Sequence, residues 1–168
     1  MISYILFDLK LHLRIWPVNL YPMKAVIQRV TSASVTVNNE KVSQINRGIV
    51  SLLGICKNDT QEKAIKMIDK ICNLRIFPDE NDKMNLSLKD ISGEHLVVSN
   101  FTVSADCSHG RRPSFTSAEH PEAAIKLYEI AVQHSKTLGV STQGGVFQAD
   151  MNVSIENQGP VTFVLNIE

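Results

Sequence analysis

The sequence predicts an α/β domain built from two sheets, with helices packed on one outer face. Segments rich in Val, Ile and Thr alternate polar and apolar residues near the beginning and end of the chain. Two stretches between them repeat apolar residues at helical spacing, and the two kinds of segment intermix without a regular βαβ repeat.

Met1 to Pro22 is apolar in patches, but Asp8, Lys10, His12 and Arg14 interrupt it too early for a membrane span or a signal-peptide core. Met23 opens a different, strand-rich pattern. Residues 1–22 are therefore expected to be an N-terminal extension outside the fold, and 23–168 a single domain. Lys24 to Val30 and Ala33 to Val37 read as strands, with Asn38-Asn39 as a hairpin turn before Val42. Ile49 to Ile55 is almost continuously apolar and short, which places it centrally as a strand buried on both faces. Asp59 and Glu62 resemble a capping box, and Ala64, Ile68, Ile71, Cys72 and Arg75 form the stripe of a first helix. Pro78 and Asp79 to Lys83 make a loop. Leu96 to Val103 is expected to be one strand carrying Ser99, Asn100, Phe101 and Thr102. A second helix starts at Pro121, buries Ala124, Leu127, Tyr128, Ala131 and Leu138, and stops at Gly139. Met151 to Ile155 and Val161 to Ile167 alternate as two strands joined by a Gly159-Pro160 turn.

A chain of 168 residues buries about two thirds of its unfolded surface and needs no metal or disulfide. Lys and Arg total 17, as do Asp and Glu, so no global field announces a nucleic-acid partner and any RNA contact must come from a local patch. Cys56, Cys72 and Cys107 lack C-x-x-C spacing and read as reduced packing thiols of a cytosolic protein. His12, His95, His109, His120 and His134 are scattered, and H-E-x-x-H, P-loop and G-x-S-x-G patterns are missing, so each His reads as surface or structural. Neither a metal site nor a cofactor is expected.

What remains is backbone and hydroxyl chemistry. Gly159 lacks a Cβ and Pro160 lacks an N–H, so the carbonyls of this turn can stand bare toward a ligand, although the same residues also suit an ordinary turn into a strand. The hydroxyls of Ser99 and Thr102 and the pair Arg111-Arg112 are, each taken alone, ordinary strand and surface residues.

Taken together, Ser-Asn-Phe-Thr-Val at 99–103, Gly-Arg-Arg-Pro-Ser-Phe at 110–115 and Asn-Gln-Gly-Pro-Val-Thr at 157–162 resemble the D-aminoacyl-tRNA deacylase family. So do Ile27-Gln28-Arg29-Val30, Asn73-Leu74-Arg75-Ile76-Phe77 and Lys83-Met84-Asn85-Leu86. The resemblance runs from Met23 to the end. It departs where the family reads Ser-Gln-Phe-Thr-Leu, since this chain has Asn100 and Val103. It implies a three-layer β/β/α sandwich of two mixed sheets, and a cytoplasmic homodimer with sites at the subunit interface. The implied substrate is a D-amino acid, or glycine, esterified to the 3′ end of tRNA. It further implies that Asn100, Phe147 and Met151 line the substrate pocket, that Gly159 and Pro160 reject L-amino acids, and that Arg111 and Arg112 hold tRNA. The family's Gly-Pro peptide is cis and enters the partner's pocket, whereas residue statistics alone favour trans.

The chemistry implied needs no strong base, because an aminoacyl ester is already labile and positioning plus N–H donors to the oxyanion can suffice. Catalysis is assigned to Ser99, Phe101 and Thr102, with the Phe101 and Thr102 amides and the Thr102 hydroxyl as candidate donors. A nucleophilic Thr102 is the rival, with no His or Lys visibly placed to activate it. Alternatives are a Thr102- or Ser99-dependent hydrolase of small esters, a relative that clears L-amino acids, and a non-catalytic tRNA- or RNA-binding module using Arg111, Arg112 and Lys57 on phosphates.

Overall fold

The computed structural model describes residues 21–168, so all but two residues of the expected extension lie outside it. From Met23 the chain runs as β1 (Met23–Val37), β2 (Glu40–Ile45), β3 (Gly48–Gly54), α1 (Gln61–Asn73), β4 (Phe77–Pro78), β5 (Met84–Leu86), β6 (Glu94–Ser99), α2 (Pro121–Thr137), β7 (Ser141–Gly144) and β8 (Asn152–Ile167). The two strands expected before Asn38 are one long strand, β1. Asn38 and Asn39 turn it back with φ of 49° and 64°, a left-handed conformation that Asn tolerates.

Along one edge of β1, its first half pairs antiparallel with β3, Lys24 opposite Gly54 to Val30 opposite Gly48. Its second half pairs with β2 on the same edge, Ala33 opposite Ile45 to Val37 opposite Glu40. β8 runs antiparallel along the opposite edge from Met23 opposite Ile167 to Thr36 opposite Asn152. The two strands expected to meet at a Gly-Pro turn are thus one strand, because β1 templates both halves in line. β6 lies parallel to β3, and β7 parallel to β6. Gln143 of β7 then reaches the backbone of Gln44 in β2, donating Nε2–H to its carbonyl at 2.7 Å and accepting its N–H at 3.1 Å. That carboxamide substitutes for a ladder pair and nearly closes the sheet.

Two apolar cores sit on opposite faces of the central strands. Ile49, Leu53 and Val97 face α1 and α2 with Met67, Ile68, Ile71 and Ala131. Val50, Leu96 and Val98 face the other way, against Val35 and Ile45 from β1 and β2. Period-2 alternation in β3 and β6 therefore feeds both cores, as a strand buried on both faces must, and the expected helix, sheet and sheet layers result.

Thr60, not Asp59, caps α1, its hydroxyl accepting from Lys63 N–H at 3.3 Å. Asp59 instead accepts the Cys56 N–H at 2.6 Å. Arg75 lies beyond the end of α1 and donates to the Asn85 carbonyl at 2.6 Å, so it does not end the stripe. Pro121 opens α2 as expected, and Gly139, at φ 80°, follows its end. Cys56 and Cys72 are buried, but Cys107 is exposed on a loop, contrary to its reading as a packing residue.

His95 is fully buried between the sheet and α2, its Nε2 2.7 Å from Ser51 Oγ and its Nδ1 2.9 Å from Ser135 Oγ. Burial pushes its pKa down to about 4 from an ordinary 6.5. The folded protein holds this ring neutral while the unfolded chain protonates it, so this contribution is whole above pH 6.5 and is lost as pH falls toward 4. Urea titrations should show about 3 kcal/mol less stability at pH 4 than at pH 7 from this group. A flat profile across that window would contradict the assignment.

Candidate active site

A cleft of about 860 Å³ opens where the parallel strands β3 and β6 end, walled by the segment entering α2 and by the segment leading into β8. Ser99, Asn100, Phe101, Thr102, Phe147 and Met151 all line it. Of the sequence-derived pocket residues, these six are gathered by the fold into one place.

The strand expected through Val103 stops at Ser99, and Phe101–Ser104 forms a single 3-10 turn. Asn100 makes the break. Its N–H still pairs with the Leu53 carbonyl at 2.9 Å, but its side-chain Oδ1 accepts the Thr102 N–H at 3.1 Å and the Thr102 hydroxyl at 2.5 Å. A short Asn side chain captures the backbone two residues on and competes with the ladder. Of the two amides considered as oxyanion donors, Thr102 N–H is thus engaged, and Phe101 N–H has no acceptor among the described residues.

Phe101 is 57% exposed and meets Phe115 edge-to-face with ring centroids 5.0 Å apart, forming an aromatic rim. Phe147 is braced by Tyr128, whose hydroxyl lies 2.9 Å from the Val97 carbonyl and 3.1 Å from that of Gly145. Burial raises the Tyr128 pKa to about 12, so it stays a neutral donor. Lys57, Glu119 and His120 also border the cleft. Glu119 escaped the sequence reading because nothing but the helix start at Pro121 marks its position, and His120, read as surface or structural, is exposed at the cleft border.

Gly159 and Pro160 do not line this cleft within one chain. They sit in a wide bulge of β8: Thr162 lies opposite Gln28 and Asn157 opposite Val30, so residues 158–161 face Arg29 alone. Their peptide is cis, and both residues are exposed. Arg29 holds the bulge from below, its Nε donating to the Gln158 carbonyl at 3.1 Å and its Nη1 to that of Ile76 at 2.7 Å. Asn157 holds it from the side, accepting the Val161 N–H at 2.8 Å and donating to the Val161 carbonyl at 3.1 Å. No role was read for either residue from the sequence, where the one available signal was an Arg within a strand-like apolar run. Arg111 and Arg112 lie apart from the cleft lining, on an exposed loop closed by the Asp106 and Ser114 pair. Among the described residues no group of three His, Cys, Asp or Glu side chains is placed to hold a metal, and no helix is long and apolar enough to cross a membrane.

The family model described as D-Tyr-tRNA(Tyr) deacylase matches residues 26–166. The D-aminoacyl-tRNA deacylase of Pelobacter propionicus is 55% identical over 143 residues, spanning 85% of this chain and 99% of the relative. That of Clostridioides difficile is 54% identical over 86% of this chain and 97% of its own. Among solved structures, one titled c-Myc DNA Unwinding Element Binding Protein superposes with a TM-score of 0.81 at 43% identity, over 85% of this chain and 97% of the other. A probable eukaryotic D-amino acid tRNA deacylase shares the fold, with a TM-score of 0.75 at 16% identity over 86% and 99%. The family match and these relatives together make the chain a hydrolase acting on ester bonds. The chain belongs to the D-aminoacyl-tRNA deacylase family.

Proposed function

We propose that this chain hydrolyses the ester between a D-amino acid, or glycine, and the 3′ end of tRNA in the cytoplasm, and that it spares L-aminoacyl-tRNA by means of Gly159 and Pro160. The observation that carries this reading is the bulge itself. Two residues with bare backbone are presented to solvent, yet held by Arg29 and Asn157 so that they cannot swing aside. A rigid backbone wall is suited to excluding a side chain of one hand.

In the cleft, water adds to the ester carbonyl carbon, Phe101 N–H donates to the developing oxyanion, and the bond to the ribose oxygen breaks as that oxygen takes up the proton lost by the water, releasing amino acid and tRNA. The ribose 2′-hydroxyl beside the ester assists, which accounts for a cleft without an assigned strong base. The aromatic rim of Phe101 and Phe115 offers a stacking surface for the terminal base, and Arg111 and Arg112 offer charge to phosphates.

The working unit in this reading is a homodimer in which the Gly159-Pro160 bulge of one subunit walls the cleft of the other. Supporting it, β8 is an edge strand bonded, among the described residues, only to β1, and it exposes Phe163 and Val164, the latter 64% accessible. Sedimentation should give about twice 18.7 kDa. An active monomer would refute the shared site. Comparing hydrolysis of D-tyrosyl-, L-tyrosyl- and glycyl-tRNA tests the function as a whole.

A further inference from the structure

We infer that Asn100 is a positioning residue for deacylation: by taking both the N–H and the hydroxyl proton of Thr102, it turns Thr102 Oγ1 toward the cleft as a hydrogen-bond acceptor rather than a nucleophile. The inference rests on the deacylase reading and deepens it at a residue of the same cleft.

The geometry is specific. Oδ1 of Asn100 has two lone pairs, and Thr102 occupies both, through N–H at 3.1 Å and the hydroxyl at 2.5 Å. With its single proton committed there, Thr102 Oγ1 keeps only lone pairs, and both residues line the cleft. An amide oxygen is a very weak base and cannot remove the hydroxyl proton, so Thr102 stays neutral and unactivated. Its free lone pairs instead accept a hydrogen bond from whatever O–H enters, which in this reaction is the attacking water or the ribose hydroxyl. The clamp also fixes the 3-10 turn on which Phe101 N–H stands. The reach of the short Asn side chain suits this contact with the backbone two residues on.

The test combines amide exchange with kinetics on Asn100→Ala, Asn100→Asp, Thr102→Val and the double variant Asn100→Ala/Thr102→Val. Amide hydrogen exchange followed by NMR reports the clamp directly. Thr102 N–H should be protected in the parent, exchange at least about tenfold faster in Asn100→Ala, and regain protection in Asn100→Asp, which keeps the acceptor. Single-turnover hydrolysis of D-tyrosyl-tRNA should fall about tenfold to a hundredfold in Asn100→Ala, with half-saturating tRNA unchanged within about threefold. Thr102→Val should cost a similar factor, and the double variant no more than either single one, since the two residues act as one unit. Asn100→Asp should recover most of the rate above about pH 5, where its carboxylate is ionised. An unprotected Thr102 amide in the parent, a parental rate in Asn100→Ala, additive losses, or an acyl group trapped on Thr102 would each overturn the proposal while leaving the deacylase reading intact. A parent inactive on D-tyrosyl-tRNA would overturn both.

Discussion

Replacing Gly159 by alanine is expected to lower hydrolysis of every substrate by at least about a hundredfold, D-tyrosyl- and glycyl-tRNA alike. Gly159 has a φ of 143°, where L side chains are strained, and an added Cβ would lie 2.6 Å from Val161 Cγ2, 2.9 Å from Val161 N and 3.3 Å from Arg29 Nη2. Backbone cannot yield as a flexible side chain would, so the bulge must shift and carry the Gly159 and Pro160 carbonyls with it. Because both residues are exposed at the edge of the sheet, the fold should lose only about 1–3 kcal/mol. Single-turnover rates beside a urea titration separate the two effects. A variant with the parental rate would show that the position of these carbonyls does not matter to the reaction.

The largest expected effect on stability lies elsewhere, at Gly48. Alanine there would place a Cβ 1.8 Å from the carbonyl oxygen of Glu94 and 2.7 Å from its carbon, inside the pairing of β3 with β6. Both partners are backbone, and β3 is hydrogen-bonded on its other edge to β1 as well, so the strand has nowhere to move. The cost should exceed about 4 kcal/mol, a large share of the 5–15 kcal/mol that holds a typical domain together, and Gly48→Ala should be largely unfolded or insoluble. Gly110→Ala is the control. Its φ of 68° carries a modest conformational cost, but a Cβ there meets no atom of the described residues within 4 Å, so the loss should be near 1 kcal/mol. Circular dichroism and thermal melts distinguish them, and a Gly48→Ala protein as stable as Gly110→Ala would contradict the described strand contact.

Much of the fold was legible because its signals are local. Alternation in β1 and β8, the unbroken apolar run of β3, and Pro121 before a helical stripe each depend on a few consecutive residues. What escaped depends on partners far along the chain. β1 and β8 are each continuous because each templates the other across more than a hundred residues, so neither Ser32 nor Gly159-Pro160 ends a strand. The 3-10 turn at Phe101 exists because Asn100 prefers its own backbone to the ladder, a choice that the β propensity of the Phe-Thr-Val run outweighed on paper. Thr60 displaced Asp59 as cap because Asp59 is occupied with Cys56.

At the site, residue types pointed to Ser99, Phe101 and Thr102 through motif resemblance and not through any recognisable catalytic constellation. The backbone donors and the Gly-Pro wall that we propose would leave little trace in side-chain chemistry. Arg29 and Asn157 were invisible as supports because their function is to satisfy carbonyls and amides of a bulge that only the paired strands create. Glu119 and His120 reach the cleft by the entry into α2, a matter of topology alone.

In the mechanism we propose, bare, fixed backbone discriminates the hand of an amino acid on tRNA. It is tested most directly by incubating the protein separately with D-tyrosyl-tRNA and L-tyrosyl-tRNA and following release of the amino acid. The D-ester should be hydrolysed rapidly, with the L-ester decaying no faster than in buffer. Equal rates on the two, or no hydrolysis of either, would contradict it.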